Sequence, residues 1–262
     1  MELKVDGRSV FAATGGKVFD AGQPAVVFVH GAGMDHTVWQ LQTRYFAYHG
    51  RSVLAVDLPG HGRSEGPLLE SVETIAAWLI ALVEAAGAGR TTLVGHSMGA
   101  LAALEAAGSA PGQLEKLALL GVAARVPVHP DLMAAAQAGE NLASALVTAW
   151  GFGRKAHYGG HPGPGLWMTG GGYQLLESAD AGVLANDLAA SEAYEGAAEA
   201  AGKVDCPTLL LLGGADRMTP VKGAAPLAEA LADSETVVLP GAGHMMTIEE
   251  PDRTLDALKA FI

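Results

Sequence analysis

The sequence predicts an α/β fold: a doubly wound, mostly parallel sheet of eight strands with a helical cap inserted late in the chain. Three observations carry that expectation. Short β-branched or aliphatic runs alternate with amphipathic segments along most of the 262 residues, the order that builds a parallel sheet between helical layers. Runs such as Ala25-Val26-Val27-Phe28-Val29 and Thr208-Leu209-Leu210-Leu211-Leu212 lack the alternation of a strand with one wet face, as expected where helices cover both faces. The rhythm then breaks between Arg125 and Ala201, where no buried strand is legible. Hydrophobic residues make up 50% of the chain, enough for a sizeable core and too many for a disordered one.

Taken in order, a weak first strand is expected at Glu2–Val5 and a second at Arg8–Ala13. Strand Ala25–His30 precedes a helix over Thr37–Tyr48 that ends near Gly50. Strand Ser52–Asp57 precedes a helix over Ser71–Ala86, with Ser71 as its N-cap and Gly87 past its end. Strand Thr91–Gly95 runs into helix Met98–Ala107, and Lys116–Val122 is the last strand before the break. Beyond it come strand Pro207–Gly213, helix Pro220–Ala232, strand Glu235–Pro240 and helix Pro251–Ile262. Pro220 and Pro251 suit first-turn positions, where the missing N–H has no intrahelical partner to lose. Right-handed crossovers between such strands place active sites at their carboxyl ends.

The core is therefore expected at residues 1–124 and 202–262, with the cap at residues 125–201. Within the cap, Gly159–Gly172 reads as too rich in Gly and Pro for regular structure. The cap segment carries three basic side chains against eight acidic ones, which disfavours anionic substrates.

Charge and cysteine usage narrow the function. Sixteen Lys and Arg against 28 Asp and Glu leave a net charge of −12. Such a surface repels phosphate backbones and anionic lipid, so neither nucleic acid nor membrane is an expected partner. No run approaches the roughly 18 apolar residues that a bilayer span needs. The opening residues Met1-Glu2-Leu3-Lys4-Val5-Asp6 lack a basic region followed by an apolar one, so no secretory leader is expected and the cytoplasm is the expected location. One cysteine, Cys206, excludes an internal disulfide and reads as a small buried apolar residue. No glycine-rich phosphate loop follows any strand, so no nucleotide cofactor is expected.

Three stretches carry chemistry. Gly95-His96-Ser97-Met98-Gly99 lies between an apolar strand and an Ala-rich helix. That context suits a G-x-S-x-G turn, which projects a serine hydroxyl above the sheet at a helix N-terminus, where developing negative charge is favoured. A serine needs a base, and the base needs an orienting acid. Asp216 follows the next-to-last strand in Gly213-Gly214-Ala215-Asp216-Arg217, and His244 follows the last in Pro240-Gly241-Ala242-Gly243-His244. All three residues then emerge at one sheet edge, in the order Ser…Asp…His.

With those motifs in that order, the sequence resembles the α/β-hydrolase superfamily over nearly all of the chain outside Arg125–Ala201. The resemblance implies a Ser97–His244–Asp216 triad. It also implies an oxyanion hole from the backbone N–H groups of Ala32, in His30-Gly31-Ala32-Gly33, and Met98. Asp57-Leu58-Pro59-Gly60-His61-Gly62-Arg63-Ser64 is similar to a structural turn of the family, and residues 125–201 fall where members carry a helical cap. Trp150, Trp167, Met168 and Tyr173 of the cap are candidates for an apolar acyl pocket, or else for the cap's own core.

Rival groups are weaker. His30 and His96 read as local hydrogen-bonding residues, and Asp205 as a charge at the opposite sheet edge. His157 and His161 have i, i+4 spacing, but Gly159, Gly160 and Pro162 argue against a helix there, so no metal is expected. A serine nucleophile argues against the family's Asp-dependent dehalogenases and epoxide hydrolases. Residues Gly214–Pro220 resemble those of enol-lactone hydrolases. The expected reaction is hydrolysis of a small carboxylic ester or lactone through an acyl-enzyme on Ser97. A carbon–carbon bond hydrolase of a β-diketone-type substrate, a lyase or perhydrolase on the same triad, and a hydrolase-like ligand receptor with little turnover remain open.

Overall fold

A computed structural model describes residues 1–161, 163 and 165–262. Eight strands form one sheet: β1 (Glu2–Val5), β2 (Arg8–Ala13), β3 (Ala25–Val29), β4 (Ser52–Val56), β5 (Thr91–His96), β6 (Lys116–Leu120), β7 (Thr208–Gly213) and β8 (Ser234–Leu239). Their order is β1-β2-β4-β3-β5-β6-β7-β8. The pairs β1–β2 and β2–β4 are antiparallel and the rest parallel. All five residues of β3 and all five of β4 are buried, which explains why neither alternates in sequence. Val27 and Val29 pack into one helical layer with Leu79, Leu101 and Leu104, while Val26 and Phe28 pack into the other with Trp39 and Phe46. Burying each such Leu or Phe contributes about 1.5–3 kcal/mol.

The helices outside the cap are α1 (Gln40–Tyr48), α2 (Val72–Ala85) and α3 (Met98–Ser109) before it. Ser71 caps α2 in a reciprocal pair with Thr74, as its sequence position predicts. The cap segment holds α4 (Pro130–Gln137), α5 (Asn141–Gly151), α6 (Met168–Glu177), α7 (Val183–Ala193) and α8 (Ala197–Ala201). The chain closes with α9 (Ala225–Ala230), α10 (Met246–Glu249) and α11 (Pro251–Phe261). Among the described residues no helix is long and apolar enough to cross a membrane.

Several boundaries differ from expectation for identifiable reasons. The helix expected over Thr37–Tyr48 opens as a 3-10 turn, His36–Trp39, whose first turn is capped by the Asp35 carboxylate. The helix expected over Pro220–Ala232 is a 3-10 turn, Val221–Ala224, followed by the short α9, because Pro226 has no N–H to continue a helix and sits where one begins. Residues Met168–Gly172, expected to be irregular, open α6 instead. A Cβ at Gly172 would lie 2.6 Å from the Phe152 ring, so glycine there lets the helix pack closely. Pro162 and Pro164 of that stretch lie outside the described residues. Helix α8, counted with the cap by sequence, packs on α3: a Cβ at Gly108 would lie 2.6 Å from the Ala200 carbonyl oxygen.

β3 has β4 on one side and β5 on the other, so the chain leaves it in one direction and returns past it in the other. The crevice at the carboxyl ends of β3 and β5 is thus the switch point of the sheet, where ligands bind in open α/β folds.

Candidate active site

Ser97 lies between β5 and α3, as the N-cap of α3, in a conformation with φ 55° and ψ −119°. Positive φ is costly for a residue with a side chain and persists only where the surroundings enforce it. Here the enforcement is visible. Ser97 N–H donates to the Leu120 carbonyl at 2.9 Å, and a Cβ on Gly95 or Gly99 would collide with the backbone of Gly99 or of His30. The Ser97 side chain is left at the head of α3, with the orphan amides of its first turn.

Asp216 and His244 meet beside it. His244 Nδ1 lies 2.8 Å from Asp216 Oδ2, and both residues are buried. Thr219 Oγ1 donates to the same carboxylate oxygen at 2.8 Å, while the Met218 and Thr219 amides donate to Oδ1, each at 2.8 Å. Burial alone would raise the Asp216 carboxyl, but the charge and hydrogen bond of His244 and the Thr219 bonds outweigh it and hold its pKa below the usual carboxylate value. Sequence reasoning missed Thr219, whose signal is only its place three residues after an acid.

The His244 loop is fixed from two sides. His96 Nε2 donates to the His244 carbonyl at 2.9 Å. Burial, with His244 nearby, pushes the His96 pKa down to about 3, so its ring stays neutral. From the cap, the Gly151 carbonyl at the end of α5 accepts the His244 N–H at 2.7 Å. Glu249 Oε2 accepts both Gly153 N–H at 2.8 Å and Gly243 N–H at 3.1 Å.

Ser97 and His244 line one cavity of about 600 Å³, together with Ala32 and Thr219. No hydrogen bond joins the two side chains among the described residues. Ala32 lines the cavity, and Met98 follows Ser97 as the first residue of α3. The walls are Met34, Val128, Leu132, Val147, Leu184 and Leu188, with Trp150. Besides His244, Arg217 and His129 are basic groups of the lining, and no acidic side chain is among the described lining residues.

The four aromatic and thioether candidates separate. Trp150 lines the cavity with Ser97. Trp167 and Tyr173 instead border a second hollow with His157 and Gln174, because Trp167 caps α6 on its outer side and lies 73% exposed. Met168 is buried among core residues.

Other polar clusters are structural. His30 accepts the Leu58 N–H at Nε2 and presents Nδ1 to the Gly31 carbonyl, and burial holds its pKa down to about 4. Asp35, His36 and Asp57 gather three potential ligand atoms. The Asp57 oxygens already take the amides of His36 and Arg63 and the His36 ring. His157 lies in a 3-10 turn, Arg154–Tyr158, and His161 accepts the Gly163 N–H. Cys206 is buried, with its thiol pushed up to about 11 by that burial.

Known proteins share this architecture. The enol-lactonase of Burkholderia xenovorans superposes with a TM-score of 0.87 at 22% identity, covering 100% of this chain and 99% of its own. In sequence, the chain is 24% identical to (E)-2-((N-methylformamido)methylene)succinate hydrolase of Acinetobacter baylyi, over 92% of this chain and 90% of that protein. It is 28% identical to the pimeloyl-[acyl-carrier protein] methyl ester esterase of Pectobacterium carotovorum, over 92% and 95%. The model of the alpha/beta hydrolase family matches residues 26–257. The strained Ser97 turn, the sheet order and this match over most of the sequence agree: the chain belongs to the alpha/beta hydrolase family.

Proposed function

We propose that the protein is a serine hydrolase that cleaves a small carboxylic ester or lactone through an acyl-enzyme on Ser97. The observation that carries this reading is the shared cavity. A serine on a strained turn at a helix N-terminus faces the same apolar space as a histidine held by a buried carboxylate. The ester and lactone chemistry of the relatives' names supports the choice of substrate class.

In the first half-reaction His244 Nε2 takes the Ser97 proton as Oγ attacks the substrate carbonyl carbon. Asp216 fixes the Nδ1–H tautomer and offsets the imidazolium charge. The tetrahedral oxygen receives the Ala32 and Met98 N–H groups; losing one such donor costs about 3 kcal/mol of barrier. His244 then protonates the departing alkoxide, which leaves as an alcohol or, from a lactone, stays tethered to the acyl group. Water, deprotonated by His244, attacks the acyl carbon and releases the acid with Ser97 restored. The apolar walls suit an acyl chain of several carbons, and the volume sets an upper size.

The test is a panel of acyl esters and lactones of graded size, assayed on wild type and Ser97→Ala, with fluorophosphonate labelling followed by mass spectrometry. Sustained wild-type turnover, a label on Ser97 and a loss on the order of 10⁶-fold in kcat in the variant are expected. A burst without turnover would point to a ligand receptor, and appreciable activity in Ser97→Ala would overturn the assignment.

A further inference from the structure

The loop that holds Ala32 is anchored from the cap. Gly33 N–H, one residue past Ala32, donates to Asp187 Oδ2 at 2.8 Å. Asp187 belongs to α7 and is almost wholly buried, as is His61, whose Nε2 reaches the same carboxylate oxygen at 2.8 Å. The other ring nitrogen, Nδ1, faces the Pro59 carbonyl at 3.1 Å. Both ring nitrogens therefore face acceptors, the arrangement that suits a doubly protonated imidazolium paired with Asp187. Burial opposes that charge, but the Asp187 bond and charge override it and raise the His61 pKa.

Packing reinforces the tie. A Cβ at Gly33 would lie 2.9 Å from Leu184 of α7 and 3.1 Å from Leu176 of α6, so both cap helices press directly on this loop. Asn186 adds a second strut, donating to the Leu69 carbonyl at 2.9 Å. On the same helix, Leu184 and Leu188 face the cavity. Asp187 itself does not line the cavity.

We propose that Asp187 is a positioning residue that couples the seating of α7 to the formation of the oxyanion hole. The Gly33 N–H shares a rigid peptide plane with the Ala32 carbonyl, so a carboxylate fixing one side of that plane fixes the direction of the loop that carries the Ala32 N–H. With α7 seated, the substrate wall and the hole are complete together. With α7 displaced, Gly33 loses its acceptor, His61 loses its counter-charge, and the hole loses one of its two donors. The inference rests on the serine hydrolase reading above.

The test compares Asp187→Ala, Asp187→Asn and Asn186→Ala with wild type on one ester, alongside binding of a trifluoromethyl ketone, whose hemiketal oxyanion occupies the hole. A group that builds the hole acts on the transition state, so Asp187→Ala should lower kcat at least tenfold, toward the order of 10² seen for loss of a donor. KM should stay within threefold, and ketone affinity should fall in parallel with kcat. Asp187→Asn keeps an oxygen for the Gly33 N–H but not the counter-charge of His61, so it should recover part of the loss. Asn186→Ala removes the Leu69 strut and the Asn186 Nδ2 bond to Asp187 Oδ1 at 3.2 Å yet leaves Gly33 and His61 partnered at Oδ2, so it should give a smaller kcat loss of the same kind and decides the matter if the alanine variant fails to fold. Unchanged kcat in the folded variants, or a loss confined to KM, overturns the proposal. An enzyme that requires Ser97 but is indifferent to Asp187 overturns the coupling alone, whereas turnover that survives Ser97→Ala overturns the underlying reading.

Discussion

At Asp216, four donors converge on one buried carboxylate, and only one of them is the His244 ring. The other three set its orientation before any substrate arrives, so the acid is aimed rather than merely close. An Asp216→Asn substitution keeps the shape but offers one oxygen where the donors use two, so its NH2 must face either His244 Nδ1 or the Met218 and Thr219 amides. We expect kcat to fall about 10³–10⁴-fold with the fold intact, measured as steady-state turnover beside near-ultraviolet circular dichroism. The depressed Asp216 pKa also has a sign: its stabilising contribution is present above the ordinary carboxylate value and is lost as pH falls through the lower folded value. Ser97, Asp216 and His244 were legible as candidates because each follows a strand end, and the structure brings Asp216 and His244 into contact. Thr219 left only a weak local signal, three residues after Asp216, and Asp187 left none, since it meets His61 from 126 residues away.

Among the elements, the strands were the most legible and the cap helices the least. β3 and β7 announce themselves because both faces are covered, so every position is selected for apolarity. α6 does not, because its first turns contain Gly170, Gly171 and Gly172, a run whose intrinsic preference opposes helix by about 1 kcal/mol per residue relative to alanine. Contact with Trp167 and Phe152 overrides that preference. α10 is a single turn, too short to leave a periodic signal. The contact between α3 and α8 gives a test of packing against propensity. Gly108→Ala would stabilise an isolated helix by about 1 kcal/mol, yet here the new methyl meets the Ala200 carbonyl. We expect net destabilisation of about 1–3 kcal/mol from overpacking, seen as a lower urea midpoint. A gain in stability would show that α8 yields freely.

For the molecule as a whole, buried histidines of opposite habit shape the response to pH. His30 and His96 are held neutral, with pKa values near 4 and 3. Below about 6.5 the unfolded chain takes up their protons and the folded one does not, so stability is full above that pH and falls as acid is added. Each contributes a slope of about 1.4 kcal/mol per pH unit within its window. His61 and His36 behave the other way: their raised values mean stability present below the ordinary histidine pKa and lost as pH rises through the folded one. Urea denaturation between pH 4.5 and 8.5 should therefore show a maximum near neutrality, and His30→Asn should flatten the acid side. A stability that continues to climb as pH drops below 6 would contradict the assigned neutral rings.

The same connections bear on how freely the segment between β6 and β7 could be exchanged for another. Its chain departs after β6 and rejoins the sheet at the adjacent β7, so a chimaera could replace it without altering strand pairing. Sheet topology permits the graft, yet the Gly33 amide and the His244 amide each lean on a group this segment supplies, Asp187 and the Gly151 carbonyl. A transplanted segment lacking equivalents at those two points would bring a new cavity wall over a scaffold whose loops had lost their bearings.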